Sequence, residues 1–232
     1  MDESLLNLTL SALAFVVSHI MLSHGRVRSG LIARLGLWPH RAVYSVIGIV
    51  TFLWLVSAYK QAPTDQIFAP VIALQHMPLT LMLLASILLV GGYTIANPSA
   101  LVLEDMNSGE DIPGILKITR APVMWGTGLF AFSHMLANTH LASWIFFGSL
   151  TFLAIVGGWH LDRRKHAEGD ASWLEMEAQT SFIPFAAMLS RRTKLKIREL
   201  GWWRLALALG LYAVMLAAHR AVVGASPMPL PD

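Results

Sequence analysis

The sequence predicts an all-α protein, a polytopic transmembrane helix bundle of about six helices forming a single domain over residues 1–232. Three observations predict it. The chain is 55% hydrophobic and only 13% charged, where a soluble domain carries about a quarter of its residues as charges. Six apolar stretches reach or approach the roughly 20 residues that a helix needs to cross a bilayer. Lysine and arginine gather in every second loop, as they do on the cytoplasmic side of membrane proteins. The formal charge of +3 would hint at nucleic acid in a soluble chain. Here orientation accounts for the basic residues, so the expected partner is the lipid bilayer and no nucleic acid is expected.

The expected spans run 4–22, 41–59, 71–96, 123–138, 141–161 and 202–223. The first lacks the basic n-region and small-residue cleavage site of a signal peptide, so it is expected to be retained. The fourth and fifth meet at Thr139 and His140, a link short enough only for an antiparallel hairpin. Of the 17 Lys and Arg residues, only Lys60 and Arg220 fall on the far side of this arrangement. The rest, from Arg26 through Lys117 and Arg120 to Arg204, lie on one side. The rule puts that side in the cytoplasm of a bacterial inner membrane, with Met1 and Asp232 both non-cytoplasmic. The longest loop, 162–201, mixes Trp173, Phe182, Phe185, Met188 and Leu189 with charges, which suits either a surface helix lying in the headgroups or a solvated linker. Gly91, Gly92, Gly157 and Gly158 are expected where neighbouring backbones approach closely.

Cysteine is absent, which excludes disulfides, thiolate metal sites and thioether-bound haem. The six spans hold no Asp, Glu or Lys in their interiors, so histidine is the polar chemistry available at membrane depth. His19, His76, His134, His160 and His219 lie in or at the ends of spans, whereas His24, His40, His140 and His166 fall in loops and are expected to be solvated. Neutral imidazole ligates haem iron and shuttles protons. It also serves as an interhelical hydrogen-bonding group, and that reading carries equal weight for any one residue, and more for His219. Depth along straight helices groups His19 with His160 and His76 with His134. Two axial imidazoles must share a depth, because their nitrogens lie only about 4 Å apart across a metal. Gly126, Gly128 and Ala131 satisfy G-x-G-x-x-A, but no strand precedes them and a dinucleotide fold is discounted.

Five stretches, taken in order, resemble the NnrU family of bacterial membrane proteins, whose plant relative is zeta-carotene isomerase. They are Ser18 and His19 with Leu22, Ser23 and Arg28; Arg41 with Tyr44 and Ser45; and Gly114 and Ile115 through Ile118, Thr119 and Arg120 to Pro122. Then come Ser133 and His134 with Leu136, Ala137 and Asn138, and Trp159 and His160 through Asp162, Arg163 and Arg164 to Thr180, Ser181, Pro184, Phe185, Ala186 and Ala187. The resemblance spans nearly the whole chain.

What the resemblance implies is a b-type haem held by His19 and His134, with redox-linked ligand exchange exposing iron for cis–trans isomerisation of a polyene. The exchanging thiolate of the plant enzymes corresponds to Ala131, and the histidine of their R-H-P motif corresponds to Ala121, so that exchange has no ligand here. Relatives in the bacterial branch are linked to nitrogen-oxide metabolism. The family pair, His19 with His134, differs from the pairing by depth. His76 and His160 stand as geometric alternatives, and two haems at two depths would satisfy both. Two other functional readings stand beside haem. The stretch around Arg120, Pro122 and Gly126 resembles a segment of membrane methyltransferases and sterol reductases that holds S-adenosylmethionine or NADPH, which makes Arg120 a cofactor-binding candidate. A non-catalytic subunit or assembly factor of a membrane protein complex is the third. A hydrophobic small molecule is the expected substrate if the protein is an enzyme.

Overall fold

The computed structural model describes residues 2–96 and 111–228. Eleven α-helices are described: α1 (Glu3–Ser23), α2 (Gly25–Leu35), α3 (Leu37–Gln61), α4 (Ile72–Tyr93), α5 (Gly114–Ile118), α6 (Pro122–Ala137), α7 (Leu141–Phe152), α8 (Gly158–Glu168), α9 (Ala171–Gln179), α10 (Ala186–Leu189) and α11 (Trp202–Val223). One π-helical turn, Leu153–Gly157, joins α7 to α8, and a 3₁₀ turn, Ile197–Leu200, precedes α11. A single β-bridge, Gln66 with His140, is the only strand-like pairing among the described residues.

Five of these helical stretches are long and apolar enough to cross a membrane: α1, α3, α4, the continuous 28-residue rod Leu141–Glu168, and α11. The remaining expected span, the fourth, is α6. Its 16 residues rise only about 24 Å, short of a full hydrocarbon core. The chain reaches it through Thr119 and Ala121 in non-helical conformation, with Pro122 in the first turn, where a missing N–H costs nothing. Lipid supplies no hydrophobic drive between helices, so association relies on close packing of small residues and on hydrogen bonds. α6 buries Gly126, Gly128, Ala131 and Ser133 and runs along α4. Gly92 of α4 has no room for a side chain, since a Cβ there would sit 2.8 Å from Val123 and 2.9 Å from Pro122.

The helices alternate in direction. At one end, here the basic end, Arg164 donates to Ser23 O at 3.1 Å and Arg204 donates to Thr94 Oγ1 at 3.1 Å. At the opposite end Ile67 N–H donates to Thr139 O at 2.9 Å, tying the α3–α4 loop to the α6–α7 hairpin. That hairpin is the one expected at Thr139 and His140. Tyr59 and Ser143 share a hydrogen bond of 2.9 Å between α3 and α7. The termini Met1 and Asp232 lie outside the described residues.

Several expectations need correction. The second span begins at Leu37, four residues before the expected Arg41, and the fifth continues to Glu168 instead of ending at Leu161. The loop after the first span holds a helix, α2. Within the 162–201 loop, Trp173 and Met176 are 2% exposed and pack on Leu88, Ile95, Ile115 and Leu116. That half of the loop is neither a headgroup helix nor a solvated linker. Ile183, Phe185 and Leu189 do stay exposed.

Candidate functional site

A cavity of about 310 Å³ opens toward the basic end among α1, α3, α6 and the α7–α8 rod. That volume lies at the lower bound of small-molecule pockets. Its deep wall is apolar, made by Phe15, Ile20, Leu150, Leu153, Ala154 and Leu161. Its mouth carries Arg28, Arg41, Arg164 and Lys165, and no carboxylate is among its lining residues. Leu153, Ala154 and Gly157 belong to the π-helical turn. Such turns widen the helix and recur at functional sites.

His19 lines this cavity. Its Nδ1–H donates to Phe15 O at 2.7 Å, the bond that one helical turn offers to a side chain four residues on. Because a carbonyl can only accept, the proton is fixed on Nδ1, and the neutral ring keeps its lone pair on Nε2. This is the orientation that metal-ligating histidines adopt. The ring packs against Phe15, with centroids 4.4 Å apart, and edge-on to Tyr44 at 5.5 Å. Nε2 faces Gly48 of α3, where a Cβ would come within 3.2 Å of it. The missing side chain makes the space for the ring edge.

His40 is the residue that sequence reasoning missed. Expected in a solvated loop, it sits in the first turn of α3, is 6% exposed and lines the same cavity. Neither its Nδ1 nor its Nε2 has a hydrogen-bond partner among the described residues. Leaving such a group buried and unsatisfied costs about 1–3 kcal/mol. A signal was present: Leu37, His40, Arg41, Tyr44 and Gly48 recur at helical spacing and share one face once the helix starts at Leu37.

His134 does not line this cavity. Its Nδ1–H donates to Phe130 O at 2.8 Å, and its ring lies against Phe147 and, at 6.4 Å between centroids, against His219 of α11. His219 donates in turn to Ala225 O at 2.8 Å. Thr127 and Met124 of α6 are at the level of His19, so His134 lies roughly two turns further toward the opposite end, about 10 Å away along the helix. The structure does not bring His19 and His134 together. His76 is exposed in the first turn of α4, bonded to Ile72 O at 2.8 Å. His160 is at the basic end and stacks on His24 at 5.6 Å. Its Nε2 is buried and unpartnered, but it does not line the cavity. His140, also expected to be solvated, is half-buried beside Gln66, with Nδ1 enclosed. His166 is exposed, as expected, and bonds Glu177 at 2.7 Å. No group of three or more His, Cys, Asp or Glu gathers to hold a metal ion among the described residues.

Arg120 occupies a different place, behind α8. Its guanidinium forks onto Asp162, through Nε to Oδ1 and through Nη2 to Oδ2, the latter at 2.7 Å, and Nη2 also reaches Glu177 at 3.2 Å. Nη1 donates to Thr180 O at 3.3 Å, and Trp173 lies 6.0 Å below the group. Trp125 Nε1 and Thr119 Oγ1 both donate to Phe182 O, at 2.8 and 2.7 Å. These bonds hold the segment after α9 against the start of α6. A second cavity of about 720 Å³ borders this cluster, lined by Trp125, Trp159, Phe182 and Ile183 with Asp162 and Glu177. Arg120 and Arg192 line it as well.

A family model described as NnrU protein matches residues 7–227 of the chain. No curated protein and no solved structure matches it.

Proposed function

The chain belongs to the NnrU family, and from that premise we propose that it is a haem b protein of the bacterial inner membrane, holding the porphyrin in the cavity beside His19. The observation that carries this reading is His19 itself. Its Nδ1 is tied to Phe15 O, and its Nε2 meets the gap beside Gly48, in a recess with an apolar interior and a cationic mouth. The residues fit the group. An oriented imidazole offers a lone pair to iron, the missing side chain at Gly48 leaves room for that ring's edge, and the His40 nitrogens lack a partner among the described residues.

Bound haem would supply a one-electron redox change and an iron position able to take a diatomic nitrogen oxide or to act on a polyene. The chain's residues do the rest. Phe15 O keeps the proton on the far ring nitrogen of His19. Phe15, Leu150, Leu153 and Ala154 exclude water from the deep end, and the four cations at the mouth face the acid edge of the ligand. Under this reading the basic end lies in the cytoplasm, and a hydrophobic substrate enters from the lipid. His134, beside His219, is the ligand candidate for a separate group at the opposite end, in keeping with two haems at two depths.

Detergent-purified protein, reconstituted with haem, should show a Soret band and a pyridine haemochrome spectrum of haem b. His19→Ala should abolish the band from the basic-end cavity, and His134→Ala should leave it in place. A preparation that takes up no haem ends the proposal, and a His19→Ala variant with an unchanged spectrum removes this cavity from it.

A further inference from the structure

We propose that the segment from Ile183 to Trp202 is a membrane-docking surface, seated in the headgroup layer at the basic end and selective for anionic phospholipid. The inference goes beyond the cofactor reading and does not depend on it.

Three separate elements mark the level of the headgroups. Arg41 stacks over Trp38 at the start of α3 at 5.2 Å, Arg163 over Trp159 of α8 at 4.7 Å, and Arg204 over Trp203 at the start of α11 at 4.7 Å. All three indoles are exposed. An indole, apolar in body and polar at its N–H, settles where hydrocarbon meets headgroup, and an arginine beside it reaches the phosphates. The segment is tied to this level at both ends. Ile183 lines the second cavity together with Trp159, and from Ile197 the chain passes through the 3₁₀ turn directly into Trp202 and α11.

Its side chains are sorted for such a place. Inward, Ala187 is fully buried, and its N–H donates to Ser181 Oγ at 2.9 Å. Arg192 donates to Glu177 O and Ala178 O, both at 3.1 Å, which pins the segment to the end of α9. Phe185 is held at φ 65°, a left-handed conformation that a bulky residue rarely adopts, with its N–H bonded to Ile118 O at 2.8 Å. Outward, Ile183, Phe185, Leu189 and Ile197 are exposed, Leu189 at 83% and Ile197 at 79%. Large apolar side chains exposed on a fixed backbone mark an interaction surface, and at this level the bilayer supplies the cover. Charge selects the lipid. Arg191, Arg192, Lys194, Lys196 and Arg198 stand among these residues against one acid, Glu199. A surface that joins apolar side chains to a surplus of cations complements a bilayer carrying negative charge.

The chain has no cysteine, so a single introduced thiol can be labelled without background. The test uses the full chain with Leu189→Cys, carrying an NBD fluorophore, in nanodiscs of phosphatidylcholine with graded fractions of phosphatidylglycerol. Its emission should shift to the blue as phosphatidylglycerol is added, and a lipid with a shallow doxyl group should quench it. Acrylamide in the water should quench it several-fold less than the same label at Ala171→Cys, at the exposed start of α9. Lys194→Gln combined with Arg198→Gln should raise the phosphatidylglycerol fraction at half-shift at least about threefold, since each basic residue at an anionic surface is worth roughly fivefold in affinity. Ile197→Cys gives a second labelled position should Leu189→Cys fail to reconstitute. A label at Leu189 that acrylamide quenches as strongly as the one at Ala171, whatever the lipid, overturns the inference and leaves the surface to a protein partner. Emission indifferent to phosphatidylglycerol, or a response unchanged by loss of the two cations, overturns it as well. Haem uptake enters none of these readouts, so this result and that of the cofactor test are separable.

Discussion

Two clusters of positive charge share the basic end of this molecule, separated by the thickness of α8, and they are set in different surroundings. Asp162 points from one face of α8 to Arg120, whose guanidinium is closed by two carboxylates and a carbonyl. Leu161, Arg164 and Lys165 point from the other face into a cavity that has four cations and no acid. A buried arginine tolerates its surroundings only when paired, and the first cluster obeys that rule. The second has its charges at the rim of a recess with an unpartnered imidazole inside. The contrast teaches that basic residues alone do not mark a site here. What marks it is the enclosed imidazole of His40, whose ring nitrogens meet no partner among the described residues.

The largest effect that tests the contrast is on stability. Arg120→Ala or Asp162→Asn strands a buried charge or breaks its fork, and should cost about 3–5 kcal/mol, read as a drop in the thermal unfolding midpoint in detergent. Arg28→Ala at the cavity should cost less than about 1 kcal/mol. Equal losses at the two places would erase the distinction.

Glycine replacements sharpen it next. Gly92→Ala forces a Cβ to within 2.9 Å of Pro122 in the α4–α6 contact, and overpacking of this kind costs about 1–3 kcal/mol. Gly48→Ala meets only the edge of the His19 ring, at 3.2 Å, and that ring can give way into the cavity. Its expected consequence is a shifted ligand spectrum with a nearly unchanged melting point. A smaller effect belongs to Trp125→Phe, which removes the 2.8 Å bond to Phe182 O and should cost about 0.5–1.5 kcal/mol, seen as faster proteolysis after α9.

The smallest depends on pH. Glu199 accepts a 2.8 Å bond from Lys117, and that bond, followed by the Lys196 backbone N–H, holds its carboxyl below the ordinary carboxylate range. A group lowered in the folded state contributes stability above its unfolded pKa of about 4.3 and loses it as pH falls through the folded value. Acidification should therefore loosen α5 from the 3₁₀ turn, and in Lys117→Ala, where that contribution is already missing at neutral pH, the acid-dependent loss should shrink, as followed by hydrogen exchange at Leu116 and Leu200.

Much of the fold was legible because the period and length of apolar runs are local properties. The hairpin at Thr139 and His140 and the close contacts at Gly91 and Gly92 followed from a short link and from small residues. The short reach of α6 was legible too, since the expected span 123–138 has the same 16 residues as the helix. The candidate site was legible only in part. His19 stood out by its depth. His40 did not, because its burial depends on α3 beginning at Leu37. The pairing of Arg120 with Asp162, 42 positions away, follows from tertiary packing that no local window contains. Trp173 and Met176 read as amphipathic, but the sequence does not say whether such residues turn toward lipid or toward Ile115 and Leu116.

The π-helical turn between α7 and α8 sets the rotational phase of everything that follows it. Each residue added to or removed from a helix turns the downstream segment by about 100°. Rewinding Leu153–Gly157 as regular α-helix with every residue retained would turn the segment after it by that angle and swing Asp162 away from Arg120, and Arg164 away from Ser23, in the same stroke. The turn thus works as an indexing key: one extra residue of slack keeps two unlike neighbourhoods on opposite sides of a single rod.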